Sequence, residues 1–149
     1  MKKTALFAGT FDPFTIGHDA IVKRSLAITD KLIIAIGHNA EKKRFFPVEE
    51  SMAAIRQLYR KTPVIHVTSY NTLTVDFAKQ MKVDFLIRGV RNPNDFEFEK
   101  TMADFNRNFS GIDTFFLFSE PAYAYISSNL VRELLIHKKD ISNLIPNIK

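Results

Sequence analysis

The chain has 149 residues, 46% of them hydrophobic and 25% charged, which is the size and composition of one globular domain with its own core. It has no cysteine, so disulfides, thiol nucleophiles and thiolate metal sites are excluded. The net charge of +5, from 21 Lys and Arg against 16 Asp and Glu, suits an anionic partner without separating nucleic acid from small phosphates.

The opening segment MKKTALFAG imitates a secretory leader, but Thr10 and Asp12 interrupt the apolar run before it reaches the roughly 7–15 residues a leader needs. TALFA at 4–8 therefore reads as a first strand. The next ten residues, GTFDPFTIGH, gather Gly9, Gly17 and His18 in one loop of a chain with only five glycines and four histidines. Gly17 and His18 open a helix carrying Ile21, Val22 and Leu26 at helical spacing, and the free N–H groups of such a helix start form an anion site. His18 is placed to stabilise charge at a phosphorus under attack, and Thr10 to hold a second oxyanion. A plain strand-to-helix turn with a solvated histidine is the competing reading of this spacing.

KLIIAI at 31–36 is a second strand, followed by the irregular HNAEKKRFF at 38–46, where Lys42 lies in a basic cluster that a solvated surface also explains. Pro47 followed by Glu49 and Glu50 predicts a helix over 47–60, because proline loses no needed N–H there and carboxylates suit the positive helix end. VIHVTS at 64–69 is a third strand, with Val75, Ala78 and Met81 helical after it. DFLIR at 84–88 is a fourth, placing Arg88 at its end, Gly89 at a sharp exit and Arg91 in the loop 89–95; paired guanidinium forks suit phosphate.

Residues 95–109 predict a helix with Phe98, Met102, Phe105 and Phe109 on one stripe, for core or subunit interface, and Glu99, Ala103 and Asn106 on a neighbouring face toward a ligand. Glu97 and Glu99, two apart, point away from each other and make no acid/base pair. TFFLF at 114–118 is the fifth strand, the loop 119–125 follows, and Ser127 or Ser128 caps a last helix that buries Leu130, Leu134 and Leu135. Arg132, one turn beyond Ser128, either reinforces that anion site or stabilises the helix surface. Strand-helix alternation with right-handed crossovers predicts a single α/β domain, a five-stranded parallel doubly wound sheet whose ligands bind beyond the strand carboxyl ends. No run approaches the roughly 18 apolar residues of a membrane span, so a cytoplasmic protein without membrane contact is expected.

Gly9-Thr10-Phe11-Asp12-Pro13 with Thr15-Ile16-Gly17-His18 resembles the T/HxGH signature of the nucleotidyltransferase superfamily, and Ile126 to Arg132 resembles its late ISSxxxR signature. With the Lys-Lys loop, RGVR at 88–91 and DFExE from Asp95 to Glu99, nearly the whole chain resembles the bacterial phosphopantetheine adenylyltransferase family. That resemblance implies a Rossmann-like fold with strand order 3-2-1-4-5, ATP and 4′-phosphopantetheine as substrates, Mg2+ with the ATP, no protein metal site and a homohexamer. It assigns Thr10 and Lys42, with His18 as transition-state stabiliser, to catalysis. Thr10, Lys42, Thr74, Arg88 and Asn106 go to the phosphopantetheine side. Thr10, Phe11, His18, Gly89, Val90, Arg91 and Glu99 go to ATP, together with Tyr123, Ala124, Tyr125, Ile126, Ser127, Ser128 and Asn129. Phe98 stands where Tyr is common, Asn129 where Ser or Thr is usual, and the chain ends soon after Pro146. Competing readings are a nucleotidyltransferase with another phosphorylated acceptor, an inactive nucleotide-binding regulator, and a nucleic-acid-binding module. The last is disfavoured because the basic residues sit in separate loops rather than on one stripe.

Overall fold

The structure, a computed structural model, describes residues 1–147. Its elements run β1 (Thr4–Gly9), α1 (Ile16–Ser25), β2 (Lys31–Gly37), α2 (Val48–Leu58), β3 (Ile65–Tyr70), α3 (Thr74–Gln80), β4 (Phe85–Val90), α4 (Pro93–Ser110), β5 (Asp113–Phe118) and α5 (Ser128–Ile136), with a 3-10 turn at Pro121–Tyr123. The five strands form one parallel sheet in the order β3-β2-β1-β4-β5. This is the expected doubly wound α/β architecture.

Strand alternation sends side chains to two separate cores. Phe7, Leu32, Ile34, Ile36 and Ile87 pack with Val22 of α1 and Ile55 of α2, while Leu6, Ala8, Ile33, Ala35 and Leu86 pack with Phe77 and Ala78 of α3. A third cluster joins Ile126, Val131 and Leu144, and the Ile16 N–H donates to the Leu144 carbonyl at 2.9 Å, so the segment after α5 closes onto the start of α1.

Four local expectations need correction. The fourth strand runs on to Val90, so Gly89 lies inside it; a Cβ there would meet Ile21 at 3.2 Å, and close packing on α1 rather than a sharp exit explains the glycine. Helix α4 begins at Pro93, because the Asn92 side chain caps it by accepting from the Asp95 N–H at 2.9 Å. Pro47 stands one residue before α2 rather than within it. In α5 the fully buried residue is Val131, with Leu134 and Leu135 only partly covered around it. The described residues contain no helix long and apolar enough to cross a membrane.

Candidate active site

At the carboxyl end of β1 the backbone turns through Phe11, whose φ of 47° lies in the left-handed region that a side chain seldom adopts. Packing holds it there. The buried Phe11 ring meets Phe7 at 5.1 Å, Phe14 at 5.4 Å and the His18 imidazole edge-on at 4.9 Å. A Cβ on Gly9 would stand 3.0 Å from that ring, so Gly9 makes room for Phe11. Room for the Phe11 ring therefore accounts for this glycine, although its backbone also lines the cavity.

Thr15 and His18 cap α1 reciprocally. The Thr15 hydroxyl accepts from the His18 N–H at 3.3 Å, and the Thr15 N–H donates to His18 Nδ1 at 3.0 Å. Accepting at Nδ1 places the proton of the neutral ring on Nε2. Burial, then the charges of Arg88 and Arg91, lower the His18 pKa from its ordinary 6.5 to about 3. His18 is thus a neutral N–H donor, not a cation.

His18 faces a cavity of about 420 Å³ at the sheet edge, walled by Thr10, Gly17, Arg88, Arg91, Glu99 and the Ser127–Asn129 segment, with Arg132 at its rim. Ser127 is the cap of α5, accepting from the Leu130 N–H at 3.1 Å, whereas the Ser128 hydroxyl donates to the Pro13 carbonyl at 2.8 Å. Arg132 donates to the Asp12 carbonyl at 2.6 Å. The two distant signatures are therefore bonded to each other, and two helix N-termini open on one cavity.

Arg88 is gripped by Glu99 through Nε to Oε2 at 2.8 Å and Nη2 to Oε1 at 2.6 Å, and its Nη1 donates to the Ala8 carbonyl. Burial opposes its charge, but the Glu99 bonds and charge outweigh this and hold its pKa above the ordinary arginine value. Arg91 is likewise held by Asp95, at 2.9 and 3.2 Å. Burial would raise the Asp95 pKa, yet those bonds keep it below the usual carboxylate range.

Thr10 and Arg88 also line an open groove of about 960 Å³ that takes in His38, Lys42, Lys43, Tyr70 and Thr74. A narrower slot of about 140 Å³ leaves Arg88 and runs past Thr74, Glu99, Met102 and Asn106. Arg88 stands where all three spaces meet. The structure thus brings together Thr10, Phe11, His18, Gly89, Arg91, Glu99 and Ile126 to Asn129 around the first cavity, with Lys42, Thr74 and Asn106 in the adjoining spaces.

Four residues expected on the ATP side do not line that cavity. The Val90 side chain is buried, Tyr123 packs onto the Ile126 cluster, Tyr125 is exposed, and Ala124 belongs to the turn between them. Residues that sequence reasoning passed over are Asp12 and Arg44. The buried Asp12 carboxylate accepts the Phe45 and Phe46 N–H groups, each at 2.8 Å, and Arg44 donates to the Thr10 carbonyl at 2.8 Å. An acid set between two phenylalanines and followed by proline, in Phe11-Asp12-Pro13-Phe14, is the signal the chain offers for this.

The family model described as cytidylyltransferase-like matches residues 6–134. The chain is 51% identical over 146 residues to a phosphopantetheine adenylyltransferase of Bacteroides thetaiotaomicron, covering 98% of this chain and 96% of that one. It is 49% identical to the corresponding protein of Bacteroides fragilis, covering 97% and 96%. Among solved structures, a Vibrio parahaemolyticus protein described as a nicotinate-nucleotide adenylyltransferase shares the fold with a TM-score of 0.70 at 18% identity, over 99% of this chain and 88% of that one. The chain belongs to the cytidylyltransferase-like family and, within it, to the phosphopantetheine adenylyltransferases.

Proposed function

We propose that this chain transfers the adenylyl group of ATP to 4′-phosphopantetheine, giving dephospho-coenzyme A and pyrophosphate in coenzyme A synthesis. The observation that carries the reading is the shared wall: Thr10 and Arg88 line both the cavity with two helix N-termini and the basic groove holding Lys42. Two phosphorylated molecules entering those spaces meet there, as an adenylyl transfer requires. Family membership supports the choice of acceptor.

ATP occupies the cavity, its phosphates against Gly17, Ser127 to Asn129 and Arg91. The acceptor phosphate lies at Thr10 and Lys42, and its arm runs past Arg88 into the slot, where Thr74 and Asn106 offer polar contacts among apolar side chains. An acceptor phosphate oxygen bonds to the α-phosphorus as the bond from that phosphorus to the β-phosphate oxygen breaks, and the electron pair leaves with pyrophosphate. The nucleophile is already an anion, so no general base takes part. Catalysis then consists of alignment, which supplies up to about 7–11 kcal/mol in favourable cases, and of charge stabilisation. His18 Nε2–H, with no partner among the described residues, is the donor that follows the developing charge on the α-phosphate oxygens. Lys42, Arg88 and Arg91 offset the repulsion between the two substrates.

Mg2+ is read as part of the nucleotide. No group of three or more His, Asp or Glu suited to a metal occurs among the described residues, and Asp95 and Glu99 on the cavity wall are engaged by arginines. These residues do not fit a carboxylate cage. A homohexamer in the cytoplasm completes the proposal.

The experiment is pyrophosphate release from ATP and magnesium with 4′-phosphopantetheine, nicotinamide mononucleotide or glycerol phosphate as acceptor. Release dependent on phosphopantetheine is expected. Release with a rival acceptor alone would overturn the substrate assignment, and no release with any would favour a regulator.

A further inference from the structure

Lys42 sits in an exposed arch, and its ammonium has no hydrogen-bond partner among the described residues. A long charged side chain on a loop is a poor place for a phosphate ligand unless the arch itself is fixed, because each residue ordered on binding costs entropy. The arch is fixed at both ends. At its start the His38 N–H donates to the Tyr70 carbonyl at 3.0 Å, and the Asn39 side chain turns the chain by accepting from the Glu41 N–H at 3.0 Å. At its end the Asp12 carboxylate takes the Phe45 and Phe46 N–H groups, both at 2.8 Å, with Arg44 Nη2 a further 3.9 Å away.

The same residue is held from the opposite side. The Asp12 carbonyl accepts from Arg132 at 2.6 Å, and Arg44 reaches across to the Thr10 carbonyl at 2.8 Å. Asp12 therefore bonds the acceptor loop with its side chain and the nucleotide-side helix α5 with its backbone. We propose that Asp12 is a positioning residue, aided by Arg44, that fixes the Lys42 loop against Thr10 so that the acceptor phosphate meets a preassembled Thr10–Lys42 pair. The inference rests on the acceptor assignment made above.

Asp12→Asn is nearly isosteric but replaces one accepting oxygen with a donor facing a backbone N–H, so one of the two clasps is lost. The test is a double-mutant cycle of Asp12→Asn with Lys42→Ala, read as the KM for 4′-phosphopantetheine and for ATP in separate titrations. Asp12→Asn alone is expected to raise the acceptor KM by about tenfold or more while the ATP KM stays within about twofold. In the Lys42→Ala background the same substitution is expected to add less than about twofold, because the residue it positions is gone.

A purely structural Asp12 predicts otherwise: equal increases in both KM values, or full additivity with Lys42→Ala, and either result overturns the proposal. If Asp12→Asn does not fold by circular dichroism, Arg44→Lys decides on the same readouts, since it keeps the charge but loses the fork that spans Thr10, Phe46 and Ser51. Wild-type turnover with phosphopantetheine is measured first. Its absence is a failure of the acceptor assignment, and the cycle is then read with whichever rival acceptor the wild type uses.

Discussion

Arg88 and Glu99 meet in a parallel two-pronged ion pair, at 2.8 and 2.6 Å, where the His18 cavity, the basic groove and the narrow slot converge. The pair aims the guanidinium while leaving part of its surface for a ligand. Glu99→Gln keeps the shape and removes the charge that outweighs the burial cost of Arg88. Because the Arg88 side chain is about one-third exposed, solvent recovers part of the loss, and a destabilisation of about 1–3 kcal/mol is expected in urea unfolding. The acceptor KM is expected to rise more than the ATP KM. Equal KM values in variant and wild type would assign the pair to stability alone.

His18 contributes a neutral N–H donor whose tautomer Thr15 fixes. If this donor acts on charge present only in the transition state, as proposed, His18→Ala lowers kcat about 100-fold or more with little change in KM. Thr15→Ala keeps the backbone bond to Nδ1 but removes the hydroxyl cap, so a smaller fall in kcat and a loss of about 1 kcal/mol in stability are expected. Turnover within about threefold of wild type in His18→Ala would remove it from the chemistry.

The depressed His18 pKa also makes a pH prediction with a definite sign. Between about 3 and 6.5 the unfolded chain protonates this imidazole while the folded chain does not, so acid favours unfolding in that window. Stability from this group is complete above about pH 6.5 and falls with pH by at most about 1.4 kcal/mol per unit. Unfolding midpoints of wild type and His18→Gln, compared from pH 7.5 down to 4.5, are expected to converge or cross as pH falls. A constant difference across that range would contradict the burial of a neutral ring.

The fold was legible because the strands are short apolar runs with alternation feeding two cores, as Leu6 and Phe7 or Ile33 and Ile34 show on opposite faces. The cavity was legible where chemistry sits in consecutive residues, as at Gly17-His18 and Ser127-Ser128. What escaped were relations between distant segments: Asp12 with Phe45 and Phe46, Arg44 with Thr10, Arg132 with Asp12. No periodicity encodes a backbone carbonyl 120 residues away from its donor. Tyr123 to Tyr125 were assigned through the motif rather than through any chemistry of their own, and they are absent from the lining of the cavity, which this segment joins only at Ile126.

The stripe expected on α4 is present but is not core: Phe98 and Phe109 are 66% and 65% exposed, and Phe118 at the end of the edge strand β5 is 69% exposed. Large apolar groups left in water at this density are what an association surface presents, and β5 is itself an edge strand. If six copies of this 17.1 kDa chain assemble through it, Phe98→Asp or Phe109→Asp places a carboxylate in the contact and costs several-fold in association at each site. Sedimentation velocity is expected to show a hexamer for the wild type and smaller species for these variants. Because α4 also carries Glu99 and Asn106, which line the narrow slot proposed for the acceptor, dissociation is expected to raise the acceptor KM as well. A wild type that sediments as a monomer, with activity undiminished by either substitution, would show that the stripe serves neither assembly nor the site.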